Sequence, residues 1–161
     1  MAKAKRNGLA AKKIIRRSHR NGKFDRDDLL FRVDITMAAD VASISPLVDA
    51  VAALVHQAQC SRGKEFEVET ALREALANAV VHGCSSDCRK LIQCSVACDR
   101  SHGLLIVVRD PGAGFDPESI PKPTAAENLQ STHGRGIFLI QELMDDVHFE
   151  RGGREIHMRK H

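Results

Sequence analysis

Apolar residues recur along this chain either at every second position or at helical spacing, and these two patterns predict where strands and helices lie. Residues 29–37 are apolar, β-branched and partly alternating, which is typical of a strand. Apolar residues then recur at helical spacing in two segments, one that follows Asp40 or Ser43 as its cap and one over residues 64–81. Gly83 follows the second segment and is expected to end its helix.

The second half of the chain contains two predicted hairpins, with a long loop and a helix between them. A turn at residues 100–103 joins the strands of the first hairpin, and Gly152 and Gly153 turn the second. Residues 111–133 show no period and are rich in Pro, Gly, Asn, Ser and Thr, which is typical of a functional loop. The predicted elements are strands at 91–99 and 104–110, a helix at 136–145, and strands at 147–151 and 155–159.

The predicted order of elements, β-α-α-β-β-loop-α-β-β, defines the fold class. This order is that of an α+β two-layer sandwich, in which helices cover one face of a mostly antiparallel, mixed sheet. Repeats of the βαβ unit are missing from the pattern. A doubly wound parallel sheet is therefore excluded.

Charge divides the chain into a basic N-terminal extension, residues 1–28, and a mildly acidic domain, residues 29–161. The extension carries ten Lys or Arg and three Asp, a net charge of +7, whereas the domain carries −4, for a total of +3. Such an extension is typically solvated and poorly ordered, although clustered cations also attract nucleic acid or acidic partners. No apolar run approaches the roughly 18 residues of a membrane span, and no secretory signal is recognisable. We expect a cytoplasmic protein without membrane contact, in which only the basic extension would bind nucleic acid.

Cysteine usage predicts reduced thiols that act as small apolar residues. The number of cysteines is odd and no pair has C-x-x-C spacing. A zinc site at His82, Cys84 and Cys88 is the alternative, but it lacks the usual spacing and a second ligand pair. The five cysteines are at positions 60, 84, 88, 94 and 98.

The first group of candidate site residues lies on the second predicted helix. Glu74, Asn78 and His82 are spaced by four residues and form one stripe along that helix. Asn78 is the only polar residue between Ala75 and Val81, and burying an amide without a partner costs roughly 1–3 kcal/mol. The stripe therefore predicts either a binding site or a hydrogen-bonded core amide beside a surface carboxylate.

The second group of candidate residues follows the strand at residues 104–110. Asp110 ends this strand, and Gly112 and Gly114 permit sharp turning and close approach of the backbone to a ligand. The pattern therefore indicates a ligand-binding loop, although an ordinary turn has the same composition.

The third group of candidate residues, Gly134, Arg135 and Gly136, opens the helix at residues 136–145. The N–H groups and the positive dipole end of a helix N-terminus bind anions, and an arginine matches the geometry of a phosphate. A flexible helix entry with a surface arginine is the alternative. G-x-x-x-x-G-K-[ST] and G-x-G-x-x-G are both missing, so a P-loop and a Rossmann phosphate site are excluded.

Taken together and in this order, the three groups resemble the asparagine box and the two glycine boxes of the GHKL (Bergerat) ATP-binding fold. The segments EALANAVVHG and GRGIFLIQELMDDV look most like the anti-sigma-factor serine/threonine-protein kinases. The resemblance covers residues 29–161 and implies a transcription regulator that uses ATP and Mg²⁺. It implies that the protein phosphorylates a serine of an anti-anti-sigma-type partner, sequesters a sigma factor, and forms a homodimer.

The resemblance also implies a role for each candidate residue. Glu74 would orient or deprotonate the attacking hydroxyl, which suits a reaction that depends on positioning and charge neutralisation. Asn78 would be the ligand of Mg²⁺, and Asp110 would accept a hydrogen bond from the adenine amino group. Residues 117–133 would form an ATP lid. The remaining nucleotide contacts would come from Gly112, Gly114, Gly134, Arg135 and Gly136.

One feature departs from the family pattern. The last hairpin, residues 153–158, lacks the Thr that many members place near the adenine pocket. The resemblance therefore implies the fold more firmly than the affinity for a nucleotide. A nucleotide-gated protein-binding module without significant kinase activity needs the same pocket and is the alternative function.

Overall fold

The computed structural model describes residues 28–61, 63–117 and 132–161, and within these ranges the predicted order of elements is confirmed. None of the helices in this part of the chain is both long and apolar enough to cross a membrane. The basic extension up to residue 27 and most of the predicted lid, residues 118–131, lie outside the described residues. The elements are β1 (Leu29–Ala38), α1 (Ile44–Gln57), α2 (Glu65–Asn78), β2 (Leu91–Asp99), β3 (Gly103–Arg109), α3 (Thr132–Leu143), β4 (Asp146–Glu150) and β5 (Glu155–Lys160).

The five strands form one sheet in the order β1-β2-β3-β5-β4, and each pairing in the described ranges is antiparallel. Side chains alternate between the two faces of the sheet. On β3 and β5, the cross-strand pair Val108 and Ile156 is buried in the core, whereas the next pair, Val107 and His157, faces the opposite side. The predicted α+β sandwich is thus confirmed.

The core lies between the buried face of the sheet and the three helices. Val48 and Val51 of α1, Leu72 of α2 and Ile140 of α3 are all fully buried in one cluster with the strands. Complete burial of a side chain of this size contributes about 1.5–3 kcal/mol relative to its exposure. The apolar residues of the helices and those of the strands therefore form one core.

Of the two predicted caps for α1, Asp40 caps the backbone. Its Oδ1 accepts a hydrogen bond from the N–H of Ala42 over 3.2 Å, which begins a 3-10 turn at Val41–Ser43 ahead of α1. Ser43 makes no side-chain cap hydrogen bond. Pro46 lies in the first turn of α1, where its missing N–H removes no helical hydrogen bond.

The second helix ends differently from the prediction. A single helix was expected over residues 64–81, but α2 ends at Asn78 and continues as one π-helical turn, Ala79–Gly83. Within this turn the N–H of Cys84 donates to the carbonyl of Ala79 over 2.8 Å, a spacing of five residues. Turns of this kind occur frequently at functional sites, and this one begins directly after Asn78.

The prediction that the cysteines are reduced thiols is wrong for one pair. Cys60, just after α1, and Cys98, on β2, form a disulfide with a Cα–Cα separation of 6.3 Å. The two residues lie 38 positions apart on different elements, so local spacing contains no sign of their contact. Cys84 and Cys94 are free and buried, as predicted for apolar cysteines, and Cys88 is free and exposed.

Candidate functional site

Helices α2 and α3 bring together residues of the first and third candidate groups. Glu74 and Asn78 lie one turn apart on α2, and both are half-buried. Gly136 of α3 faces them. A Cβ atom at Gly136 would lie 2.9 Å from Glu74 Oε2, and 3.3 Å and 3.4 Å from the side-chain nitrogen and oxygen of Asn78. Because Gly136 has no side chain, α3 can approach the polar groups of α2 closely.

The start of α3 differs from the prediction. The helix was expected from residue 136, but it begins at Thr132, so the two glycines lie inside its first turns. Gly134 is the third residue of α3 and Gly136 is the fifth. Gly136 lies against Glu74 and Asn78, so its position favours close packing against α2. The anion-binding role of Gly134 stays a prediction.

Asp110 is held at the end of β3 by its own loop and by the last hairpin. Its Oδ1 accepts a hydrogen bond from the N–H of Gly112 over 2.7 Å. Its own N–H donates to the carbonyl of Arg154 over 3.0 Å. Burial raises the pKa of the Asp110 carboxyl group, and the Gly112 N–H and the charges of Arg154 and Lys90 oppose this rise. Asp110 is thus a half-buried carboxylate with a fixed orientation.

Gly83 is a site residue that the sequence pattern did not reveal. It was expected only to end a helix, but an added Cβ atom there would overlap the carboxyl group of Asp110. Gly112 in turn lies against the backbone carbonyl of Gly83. Neither Gly83 nor Gly112 has a positive φ angle, so both positions require glycine for space. The end of the π turn and the Asp110 loop therefore touch through two residues without side chains.

Gly114 requires glycine for a different reason. Its φ angle is +79°, a conformation that residues with a side chain rarely adopt. It also lies against the carbonyl of Gly152, which accepts a hydrogen bond from the N–H of Phe115 over 3.0 Å. The Phe115 ring packs edge-on against Phe149 of β4, with ring centres 5.2 Å apart. The glycine loop is thus fixed to the β4–β5 hairpin.

The two clusters lie along one continuous piece of backbone. Asn78 ends α2 and Gly83 ends the π turn that follows it, so the Glu74–Asn78 pair and the Asp110–Gly83 contact border the same stretch. A carboxylate lies at each end of this stretch, and the N-terminus of α3 lies against one of them. The Asp110 carboxylate is a hydrogen-bond acceptor at one end. At the other end, the start of α3 is a candidate anion site beside the side-chain oxygens of Glu74 and Asn78.

The remaining predicted residues lie at the margins of this arrangement. Arg135 is exposed near the start of α3, and His82 is exposed on the π turn. Among the residues that the structure describes, His82, Cys84 and Cys88 do not converge as metal ligands. In the last hairpin, where the family Thr is missing, Ile156 and Met158 of β5 are buried in the core.

Comparison with known proteins gives the chain a family and a set of relatives. Residues 37–160, well over half of the chain, match the model of a family described as the histidine kinase-like ATPase domain. The chain is 27% identical over 133 residues to the anti-sigma F factor of Bacillus subtilis, covering 79% of this chain and 80% of that protein. It is 28% identical over 134 residues to the anti-sigma F factor of Geobacillus thermodenitrificans, with the same coverage.

Proposed function

Since the chain belongs to the histidine kinase-like ATPase domain family, which implies an ATP-binding site, we propose that it is a serine-protein kinase and anti-sigma-factor regulator. ATP and Mg²⁺ would be its cofactors, an anti-anti-sigma-type protein its substrate, and a sigma factor its second partner. The relatives named anti-sigma F factor support the choice of partners. The observation that carries the proposal is the convergence of Glu74, Asn78 and Gly136 beside the Asp110–Gly83 contact.

The nucleotide would lie between the two clusters. Asp110 would accept a hydrogen bond from the adenine amino group, above the loop that contains Gly112 and Gly114. The phosphates would meet the N-terminus of α3, where Gly134 would offer its backbone N–H and Arg135 would add a positive charge. In this placement the Asp110 carboxylate lies at the adenine end and the Glu74 carboxylate at the phosphate end.

The donor set near the phosphates suits Mg²⁺. This ion prefers oxygen ligands and commonly binds through one or two side chains together with substrate phosphates. Asn78 would supply an amide oxygen, with the Glu74 carboxylate one turn away on the same helix. The bound ion would neutralise the negative charge of the phosphates.

Glu74 would act on the substrate hydroxyl. The serine oxygen of the partner attacks the γ-phosphorus, its proton passes to a carboxylate oxygen of Glu74, and the bond from the γ-phosphorus to the bridging oxygen breaks to release ADP. The Glu74 carboxylate lies close to Gly136 of α3 and one turn from Asn78 on α2. Because phosphoryl transfer depends mainly on positioning and charge, a carboxylate at this point is the group the reaction needs.

Calorimetry of ATP binding with and without Mg²⁺ tests the nucleotide site. We expect Mg²⁺-dependent binding by the native protein, and for Asn78→Ala a loss of this dependence with about tenfold or weaker affinity, because a ligand oxygen is removed. Gln93→Ala, which changes an exposed amide on β2, is the matched control and should bind normally. No binding at millimolar ATP would contradict the proposal, as would native affinity in Asn78→Ala.

A phosphorylation assay with the partner separates the kinase from its alternative. Transfer of phosphate to a partner serine is the result expected for the kinase. A nucleotide-gated protein-binding module would bind ATP and change its affinity for the partner without transferring phosphate.

Asp110→Asn should weaken ATP binding while leaving the fold intact. The asparagine side chain places a donor where adenine also donates, so we expect roughly tenfold weaker binding or more. Because burial raises the pKa of Asp110, its ionisation destabilises the folded state as pH rises from the ordinary aspartate range through the raised pKa. The variant should therefore have the same or a higher free energy of unfolding at pH 7, measured with urea.

The same shift predicts the pH dependence of ATP binding. The ATP affinity of the native protein should fall on acidification through the raised pKa of Asp110, since a protonated carboxyl group is a weaker acceptor for the hydrogen bond from adenine. This fall should be lost in Asp110→Asn. Asp49→Asn, on the exposed side of α1, is the control. Equal ATP affinity in Asp110→Asn and the native protein would remove Asp110 from the adenine end.

A further inference from the structure

The β4–β5 hairpin carries a pair of histidines on the sheet face opposite the helices. His148 and His157 are direct cross-strand partners, and their rings stack 4.6 Å apart at an angle of 18°. The neighbours of His157 along β5, Ile156 and Met158, are buried in the core. The two imidazoles therefore lie on the outer face, on the other side of the sheet from Glu74 and Asn78.

A carboxylate lies beside both rings, near their Nε2 atoms. The Glu150 oxygens lie 3.7 Å from His148 Nε2 and 3.6 Å from His157 Nε2. One ligand atom from each of the three residues lies within 4.8 Å of the other two. Of the described residues, these three alone form such a group of histidine, cysteine and acidic ligands. All three side chains reach the surface and can adjust, since His148 and Glu150 are exposed and His157 is half-buried.

These separations are close to those of a transition-metal site. Zinc lies 2.0–2.1 Å from histidine nitrogen and 2.0–2.2 Å from carboxylate oxygen, so ligand atoms of a tetrahedral site are about 3.4 Å apart. Each histidine nitrogen lies within a few tenths of an ångström of that value from a different oxygen of Glu150, and one atom from each residue lies within 4.8 Å of the other two. Small rotations of exposed side chains are sufficient to close the site. Imidazole and carboxylate groups are typical ligands of zinc and its neighbours in the first transition row.

Further acidic groups complete the surroundings of the pair. Glu155 Oε1 lies 2.9 Å from His157 Nε2, and its other oxygen is paired with Arg151 over 3.0 Å. Asp146 Oδ2 lies 3.7 Å from His148 Nδ1. A carboxylate at the ring nitrogen that does not bind the metal orients a histidine and increases its basicity, and Asp146 has this position at His148. Glu155 instead lies at the same His157 nitrogen that faces Glu150, so an ion bound there replaces the hydrogen bond to Glu155.

We propose that His148, Glu150 and His157 bind one divalent transition-metal ion of the zinc class, with water in the remaining position. The ion joins the edge strand β4 to β5 through side chains. It is separate from the proposed Mg²⁺ position, since its ligands are imidazoles on the outer face of the sheet. The site does not depend on the protein being a kinase.

Titration of the chelator-treated full chain with ZnCl₂, followed by calorimetry, tests this site. We expect one ion per chain with a dissociation constant in the micromolar range. His148→Gln and His157→Gln should each weaken binding by about tenfold or more, because even outer-shell changes at metal sites cost 10–100-fold. Zinc should also raise the melting temperature of the native protein by more than that of either variant.

Two further variants keep this test decisive. Glu150→Gln should also weaken zinc binding, and His56→Gln, an exposed histidine near the end of α1, should leave it unchanged. Circular dichroism establishes that each variant is folded. The proposal is overturned if no zinc binds, or if the two hairpin histidine variants bind zinc as the native protein does, which would direct attention to the free cysteines. ATP binding by the zinc-free protein in the presence of Mg²⁺ tests the kinase proposal separately.

Discussion

Gly83→Ala should abolish measurable ATP binding, because the new methyl group would occupy the space of the Asp110 carboxyl group. The added Cβ atom would overlap the carboxyl carbon and one oxygen of Asp110, and would lie 2.6 Å from the other oxygen. Asp110 cannot simply rotate away. Its Oδ1 is bound to the N–H of Gly112, and Gly112 itself lies against the Gly83 carbonyl. The substitution therefore displaces the whole Asp110 loop.

The effect of Gly83→Ala should be large because both the π turn and the Asp110 loop are held in place. Val80 and Cys84, on either side of Gly83, are fully buried, so the π turn cannot move outward without disturbing the core. Overpacking of this kind costs about 1–3 kcal/mol in the free energy of unfolding. We expect ATP affinity to fall by about a hundredfold or more, below what calorimetry detects, since the Gly112–Asp110 hydrogen bond and the proposed bond from adenine to Asp110 would both be lost or misplaced. Calorimetry and urea unfolding measure the two effects.

Gly63→Ala is the matched control for Gly83→Ala. Gly63 has a φ angle of +88° and an added Cβ atom there would meet nothing within 4 Å. This variant should lose about 1–2 kcal/mol of stability from backbone strain, with ATP affinity nearly unchanged. If Gly83→Ala bound ATP like the native protein, the contact between Gly83 and Asp110 would have no part in nucleotide binding.

The elements of this fold could be predicted because their signals are local. Alternation over residues 91–99 places β2 at the correct bounds, and the turn after it was found from composition alone. The spacing of Glu74 and Asn78 likewise placed them on one face of a helix. Each of these inferences needs only the periods of side chains along one element.

Contacts between distant elements could not be predicted in this way. Gly83 and Asp110 lie 27 positions apart, and nothing near Gly83 distinguishes a helix end from a residue that makes room for a carboxyl group. The same holds for the Cys60–Cys98 disulfide. The early start of α3 at Thr132 was missed because residues 132–135 contain two poor helix formers, His133 and Gly134.

Glu74→Gln should reduce phosphate transfer to the partner by about 10²–10⁴-fold, the usual contribution of a positioned general base. Glutamine keeps the shape of the side chain and its contact with Gly136, but it cannot take up the proton of the serine hydroxyl. ATP affinity should change little, because the adenine contact proposed for Asp110 and the phosphate site proposed at the N-terminus of α3 remain. Single-turnover transfer and calorimetry on the same preparation measure both quantities.

Glu69→Gln is the matched control, since Glu69 is a half-buried glutamate on the same helix. It removes the same negative charge from α2 without changing Glu74, and it should transfer phosphate normally. The pattern of the two Glu74→Gln measurements then identifies what Glu74 does. Lost transfer with intact ATP binding is the signature of a group that acts on the hydroxyl. Equal losses of both would instead make Glu74 part of the nucleotide site. Unchanged transfer would exclude it as the base, and the acceptor of the serine proton would have to lie elsewhere.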